Sequence, residues 1–332
     1  MPARKNVASS IWNVLKIVLA VGLVIFVFSK TDLTSFASTL KNASPFWLII
    51  SGVLFFLLTL LKALQYYVLM RNELTYLQVL NVIIWQNAIS NFFLAGAGIV
   101  TYITMARMEH EMKISRSVMI FLLTKAGDLT AIWLALVISS NLVWSQIGVL
   151  QIPILILLAA IGVVILLFFF TVLFRQRFVS LLSRILGWLK VSRVKFVEQV
   201  VLSLQSLANI EQNKVLSTFS LLLLYSSIYL VVTIGWVYTN LAIFHLRLDI
   251  LAIVFVGALM QIVSYLPLSV FGGLGITETS ALYFWSFFSV SHERLAPALI
   301  GIRVIFYLFS LIPLMYLPLY AAYFKPRERT AK

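Results

Sequence analysis

The sequence contains no cysteine, so it can build no disulfide, thiolate metal site or cysteine nucleophile. Charge is scarce, at 11% of residues against about a quarter in a soluble domain. Acidic residues are scarcer still, with 11 Asp and Glu facing 25 Lys and Arg. The three histidines, His110, His245 and His292, have neither metal-ligand spacing nor a recognised arrangement of neighbouring carboxylates, and no metal is assigned. No DxD-like acidic cluster is present for a sugar-transfer site. No segment is long and polar enough to hold a nucleotide or a catalytic metal outside a membrane, and no cofactor is implied.

What the chain has in abundance is apolar sequence, 62% of its 332 residues. That is the composition of an integral membrane protein, with room for about six to eight segments of ~20 residues. Residues 1–332 read as a single all-α membrane domain. The net charge of +14 is spread over several short loops, which argues against a nucleic-acid partner. Such charge reports attraction to anionic headgroups and an inside bias of the loops that carry it.

The start, MPARKN before the apolar run Ile11–Phe28, reads as an uncleaved first helix with a cytoplasmic N-terminus, because the run is long for a signal peptide. Phe46–Met70, Val118–Ile138, Pro153–Phe174, Phe219–Asn240 and Pro297–Tyr320 are the further full spans. Near the inner end of the second, Lys62 can extend its stem toward the headgroups and needs no functional role. A basic stretch, 175–214, carries Arg175, Arg177, Arg184, Lys190, Arg193, Lys195 and Lys214. Phe178, Leu181, Leu182, Ile185 and Leu189 recur there at helical spacing, so amphipathic helices on the inner surface are expected. The basic tail Lys325, Arg327, Arg329 and Lys332 puts the C-terminus inside as well.

Two segments break the apolar pattern. Leu266–Ser280, LPLSVFGGLGITETS, holds Pro267, Gly272, Gly273 and Gly275, then the acid Glu278. Glycine admits backbone angles closed to other residues and proline lacks an amide donor, so the helix is expected to stop, turn and restart near Thr277. Such backbone survives at membrane depth only inside protein or beside a wet cavity. A surface loop between ordinary helices is the alternative. From Tyr76 to about Met105, Gln86, Asn87, Ser90 and Asn91 precede a segment with Gly96 and Gly98. A hairpin entering from the cytoplasm fits the charged residues that follow better than a single span does. The expected architecture is six full transmembrane helices and two opposed re-entrant helical hairpins. A first half, 46–138, and a second, 219–320, then form an inverted repeat joined by the cytoplasmic connector 175–214, an arrangement that points to a transport site at mid-membrane.

Lys125, Asp128, Glu278 and Arg303 are the ionisable residues within the bundle. Facing lipid would cost each roughly 2.5–3.5 kcal/mol, so each is expected to turn inward or meet a partner. Lys125 and Asp128 lie three apart, on one helical face, and can pair. Glu278 falls in the first turn of a restarted helix, where free amides and the dipole favour a carboxylate. Arg303 can hold a lipid phosphate through its planar donor fork, or pair with Glu278 and pin the hairpin to the last helix; the two roles are compatible. Arg107 and Arg116 are candidates for gathering anionic headgroups at the inner surface, a solvated loop being the default.

At Pro267, Gly272, Gly273, Gly275, Ile276 and Glu278 the sequence resembles the lysylphosphatidylglycerol synthase transmembrane region, a flippase-like membrane family also found without its synthase domain. The family's later arginine corresponds to Arg303, and its charged pair in an earlier span to Lys125 and Asp128. Its early segment, usually Asn, Pro, Gly-Glu and an arginine, is matched here only by Asn91, Gly98 and Arg107; proline and acid are missing. The resemblance implies translocation of a phospholipid or other anionic lipid between leaflets of the cell membrane. Arg303, Glu278, Lys125, Asp128, Asn91 and Arg107 are then the candidate substrate-binding residues, with membrane lipid as the partner and a homodimer compatible. It carries over no synthase activity. The competing classes are an enzyme of headgroup or lipid-linked glycan modification and an accessory protein docking through its inner amphipathic surface.

Overall fold

The computed structural model describes residues 41–188, 201–202, 204–205, 208, 212–265 and 271–323. The expected first span Ile11–Phe28, Pro267, most of the connector between 189 and 211, and the basic tail lie outside the described residues. The described residues form helices joined by short turns, with no sheet among them. Its helices are α1 (Pro45–Met70), α2 (Tyr76–Phe92), α3 (Ala95–Met108), α4 (Ile114–Leu142), α5 (Gln151–Trp188), α6 (Gln212–Ile243), α7 (Ile250–Ser264), α8 (Ile276–Ser286), α9 (His292–Leu311) and α10 (Tyr316–Tyr323).

Five stretches are long and apolar enough to cross a membrane: Pro45–Met70, Ile114–Leu142, Gly148–Ile185, Gln212–Ile243 and His292–Tyr320. Each contains most or all of a span read from the sequence. The protein is thus a multi-helix membrane protein, helix being a form that satisfies backbone polar groups within one segment. Helix ends extend past the apolar runs where the local chemistry allows. Helix α9 starts at His292, five residues before Pro297, because the Ser291 carbonyl accepts from Arg294 and Leu295 at 3.2 and 3.1 Å and Glu293 sits in the first turn. Past Leu311 the backbone tightens into a 3-10 turn, Ile312–Met315, where Pro313 can donate no hydrogen bond. Helix α5 runs beyond the expected end at Phe174, but Arg175 departs from helical angles (φ 51°, ψ −132°), so the apolar span and the basic stretch meet at a kink. The Arg175 Nε–H donates to the Ala208 carbonyl at 3.0 Å.

The first interruption differs in place from the expectation. Gln86, Asn87, Ser90 and Asn91 stay helical, and the break falls at Phe93–Leu94. Gly96 and Gly98 are not at the break; both lie in the first turn of α3. Gly96 and Gly98 were the expected break; Asn91, before it, remains in a helix and donates its amide to the Ser310 hydroxyl at 3.1 Å. Gly98 serves close approach instead. A Cβ there would overlap the Ser90 hydroxyl and lie 2.7 Å from the Gln86 carbonyl, so only glycine lets α3 fold back on α2.

The chain forms two compact units. The first takes residues through Leu57, Ile84–Thr101 and the chain from Thr233; the second takes Leu58–Ile83 and Tyr102–Val232. Each draws on both halves named from the sequence. The first unit packs Phe55 against Trp236, Phe306 and Phe309, with ring centroids 5.8–6.1 Å apart. Within it the Ser51 hydroxyl donates to the Asn240 amide oxygen at 2.9 Å. The second unit has an apolar core of Met119, Leu123, Val172, Val215 and Leu222.

Candidate functional site

In the second unit the site begins with Asp128. It is the only acidic residue in the sequence of α1, α4, α5 or α6, and its side chain is 3% exposed. A carboxylate buried among apolar helices must find cations and donors or lose its charge. Helix α1 supplies Lys62 and Gln65, three residues apart and so on one face. The Lys62 ammonium donates to Asp128 Oδ2 at 2.8 Å and Oδ1 at 3.0 Å, and to Gln65 Oε1 at 2.7 Å. The Gln65 amide donates to Asp128 Oδ1 at 3.0 Å and to the Ser226 hydroxyl at 2.6 Å. Ser226, on α6, donates in turn to Asp128 Oδ1 at 3.0 Å. Gly127 makes this meeting possible: a Cβ there would lie 3.0 Å from Ser226 Oγ and 3.5 Å from the Leu222 backbone.

Lys125 joins the group at 3.5 Å from Asp128 Oδ2, the i,i+3 pair read from the sequence. Its side chain is 32% exposed, against 13% for Lys62. Lys62 corrects the sequence reading. It does not extend toward headgroups but sits inside, with its ammonium 4.4 Å from the centre of the Tyr229 ring. The missed signal was the Lys62-x-x-Gln65 spacing on an otherwise apolar helix, seen beside an Asp128 in need of a buried cation.

In the first unit a second cluster forms at the late interruption. Gly272, Gly273 and Gly275 all have positive φ, at 64°, 84° and 82°. These are angles at which a Cβ is strained. The chain can therefore turn and restart as α8, whose N-terminal amide at Gly275 donates to Glu278 Oε2 at 2.6 Å. Helix α9 carries Arg303 to the same place. Its Nε–H donates to Glu278 Oε1 at 2.5 Å, its Nη1 to the Gly272 carbonyl at 3.0 Å, and its Nη2 to the Thr277 hydroxyl. Phe306 and Tyr307 place their rings 5.3 and 5.7 Å from the guanidinium carbon. The side chains of Glu278 and Arg303 are 8% and 11% exposed. The guanidinium thus holds a carboxylate, a hydroxyl and a carbonyl of the turn at once, which is the pinning arrangement.

The two interruptions meet within this unit. The Phe271 N–H donates to the Phe93 carbonyl at 2.7 Å, and the Tyr307 hydroxyl donates to the Phe271 carbonyl at 2.6 Å. Asn91 lies alongside, its carbonyl 2.9 Å from where a Gly272 Cβ would stand. Arg303, Glu278 and Asn91 are therefore brought together in one unit, and Lys125 and Asp128 in the other. Arg107, in the last turn of α3, is exposed. Arg116 donates to Glu73 Oε1 and to the Leu69 carbonyl, each at 3.1 Å, tying α4 to the end of α1. Both ends of that ion pair are more than a third exposed, so Arg116→Ala is expected to lower stability by no more than about 1 kcal/mol, read by thermal unfolding in detergent. Burial pushes the His110 imidazole below its ordinary value, with Glu109 opposing the shift. Among the described residues no group of three His, Asp or Glu could hold a metal ion.

Apolar helices long enough to span a bilayer, with buried ion pairs between them and a glycine-built break, define a polytopic membrane protein with polar sites inside its bundle. The chain belongs to the lysylphosphatidylglycerol synthase TM region family, whose model matches residues 13–313 and so takes in both clusters. No curated protein and no solved structure matches the chain. Membership supports a flippase-like role of a general kind.

Proposed function

We propose that the protein moves an anionic phospholipid, or another lipid with an anionic headgroup, between the leaflets of the cell membrane. The observation that carries this reading is the charge of the buried group in the second unit. Lys62 and Lys125 bring two positive charges to the one negative charge of Asp128, and Lys125 is the more exposed of the two. Among the contacts described, two cationic side chains share one carboxylate, and cations held in a low-dielectric setting draw anionic ligands. A headgroup phosphate is such a ligand, meeting Lys125 while its acyl tails stay in lipid. Lys62 and Asp128 keep each other ionised beneath it.

In this reading the segments broken at Phe93–Leu94 and at Gly272–Gly275 are the tips of two re-entrant hairpins that enter from opposite sides. Residues 46–138 and 219–320 are the inverted halves, 175–214 is a cytoplasmic connector, and both termini are cytoplasmic. Arg303 and Glu278 fix the second tip to α9. Arg303 can turn its remaining N–H groups to a phosphate without giving up Glu278. Asn91 holds the first tip beside it through Ser310, and Arg107 gathers headgroups at the inner surface.

The test is the lipid that stays on the protein. Purified gently and analysed by mass spectrometry, the wild-type chain is expected to retain a phospholipid with net charge −1, and Lys125→Ala to retain it about tenfold more weakly. Retention of zwitterionic lipid alone, or equal retention by the variant, would contradict the proposal. Glu278→Gln is expected to leave the Arg303 guanidinium buried without its counter-charge and to lower stability by about 3 kcal/mol or more, measured as a shift in thermal unfolding.

A further inference from the structure

The Asp128 group has a second property that does not depend on lipid movement. Among the described residues, the Lys62 ammonium donates to three oxygen acceptors and lies against one aromatic face. Asp128 Oδ1 and Oδ2 lie at 3.0 and 2.8 Å, Gln65 Oε1 at 2.7 Å, and the Tyr229 ring centre at 4.4 Å. Hard oxygen donors, one of them a carboxylate, are what an alkali-metal ion takes in place of its water. Two further hydroxyls bear on the cage, Ser226 by direct contact and Thr124 by its place on the helix that carries Asp128. Ser226 bonds the carboxylate directly at 3.0 Å. Thr124 lies one turn before Asp128 on the same face of α4, is wholly buried, and its hydroxyl has no hydrogen-bond partner among the described residues. A buried hydroxyl without a partner is uncommon and wants a ligand or donor nearby. The cage carries a single carboxylate charge, which one monovalent cation balances. A divalent ion would add surplus positive charge next to Lys125, 3.5 Å from the same carboxylate.

We infer that the cage of Asp128, Gln65, Ser226 and Thr124 is a monovalent-cation site whose resident cation is the protein's own Lys62 ammonium. The tether keeps the site filled at any salt composition, so the wild-type protein does not depend on sodium or potassium. Without the tether, the same oxygens become available to a free ion of small radius. Lys125 is the one other cation in the group, and it can approach when Lys62 is absent.

Thermal unfolding of the full chain in detergent, with sodium, lithium, potassium or N-methyl-D-glucamine as the only added cation, tests this. The wild-type unfolding temperature is expected to be the same in all four. Lys62→Ala is expected to unfold several degrees higher in sodium or lithium than in N-methyl-D-glucamine, with a saturable dependence on concentration. Adding Asp128→Asn to that variant is expected to abolish the difference. If Lys125 takes the vacated place, the response appears in Lys62→Ala/Lys125→Gln instead, which equally supports the cage. Folding of Lys62→Ala only when sodium or lithium is present is the limiting form of the expected result. Should Lys62→Ala fold in no salt, Lys62→Met keeps an apolar stem short of the cage and is read in the same way. Identical unfolding temperatures in every salt, for the single variant and for the double variant, would overturn the inference. So would a sodium requirement in the wild-type protein.

Discussion

Asp128→Ala is expected to be the most damaging single change at the Lys62 group, lowering stability by about 3–5 kcal/mol in thermal or denaturant unfolding. Removing the carboxylate leaves Lys62, 13% exposed, without its counter-charge, and deprives Gln65 and Ser226 of a common acceptor. That loss is a large fraction of the ~5–15 kcal/mol by which a native protein is usually stable. The double variant Lys62→Met/Asp128→Leu is expected to recover most of the loss, because it removes both buried charges and refills their volume with apolar atoms. Lys125 remains there, the less buried of the two cations at 32% exposed against 13% for Lys62. If the double variant were as unstable as Asp128→Ala, the buried pair would not be what the carboxylate is for. Lipid retention separates the roles further. The double variant should fold, and with Lys125 still in place it should still hold an anionic headgroup.

Gly272→Ala is expected to lose about 2–5 kcal/mol, enough to abolish a folded, monodisperse protein on size-exclusion chromatography. Two independent effects act there. The residue has φ of 64°, a region that costs a residue with a Cβ about 1–2 kcal/mol. The added carbon would also stand 2.9 Å from the Asn91 carbonyl and 3.2 Å from the Phe306 ring, and the carbonyl belongs to backbone that cannot swing aside. Displacing the turn pulls the Gly272 carbonyl off Arg303 and loosens the Glu278 ion pair with it. Gly96→Ala is the matched comparison. Gly96 is helical and a Cβ there meets nothing within 4 Å, so the change should be neutral or stabilising by up to ~1 kcal/mol. Equal damage at both positions would mean that glycine content, not the left-handed turn, matters in these segments.

The contrast between these two glycines shows what the sequence could convey. Spans were legible because runs such as Phe46–Met70 and Phe219–Asn240 are long and apolar, and helix is the form an isolated chain segment can take in lipid. The late interruption was legible because clustered glycines beside a proline have few other uses. The early one was expected at Gly96 and Gly98 but falls just before them, at Phe93–Leu94, because a glycine needed for close packing looks in sequence the same as one needed for a turn. Arg303 and Glu278 could be paired in advance as isolated opposite charges in adjacent elements. Lys62 could not, because its partner is 66 residues away and a lysine near a helix end has an ordinary explanation at the membrane surface. Periodicity within one helix carries no information about which other helix its polar residue will face.

The most direct test is lipid translocation in proteoliposomes containing the purified chain, followed with fluorescent phosphatidylglycerol and phosphatidylcholine by bleaching the outer leaflet. The account predicts faster crossing of phosphatidylglycerol than in protein-free vesicles, little effect on phosphatidylcholine, and a loss of about tenfold or more in Lys125→Ala with the fold retained. Crossing of phosphatidylglycerol no faster than in empty vesicles, or unchanged by removing the Lys125 ammonium, would contradict it.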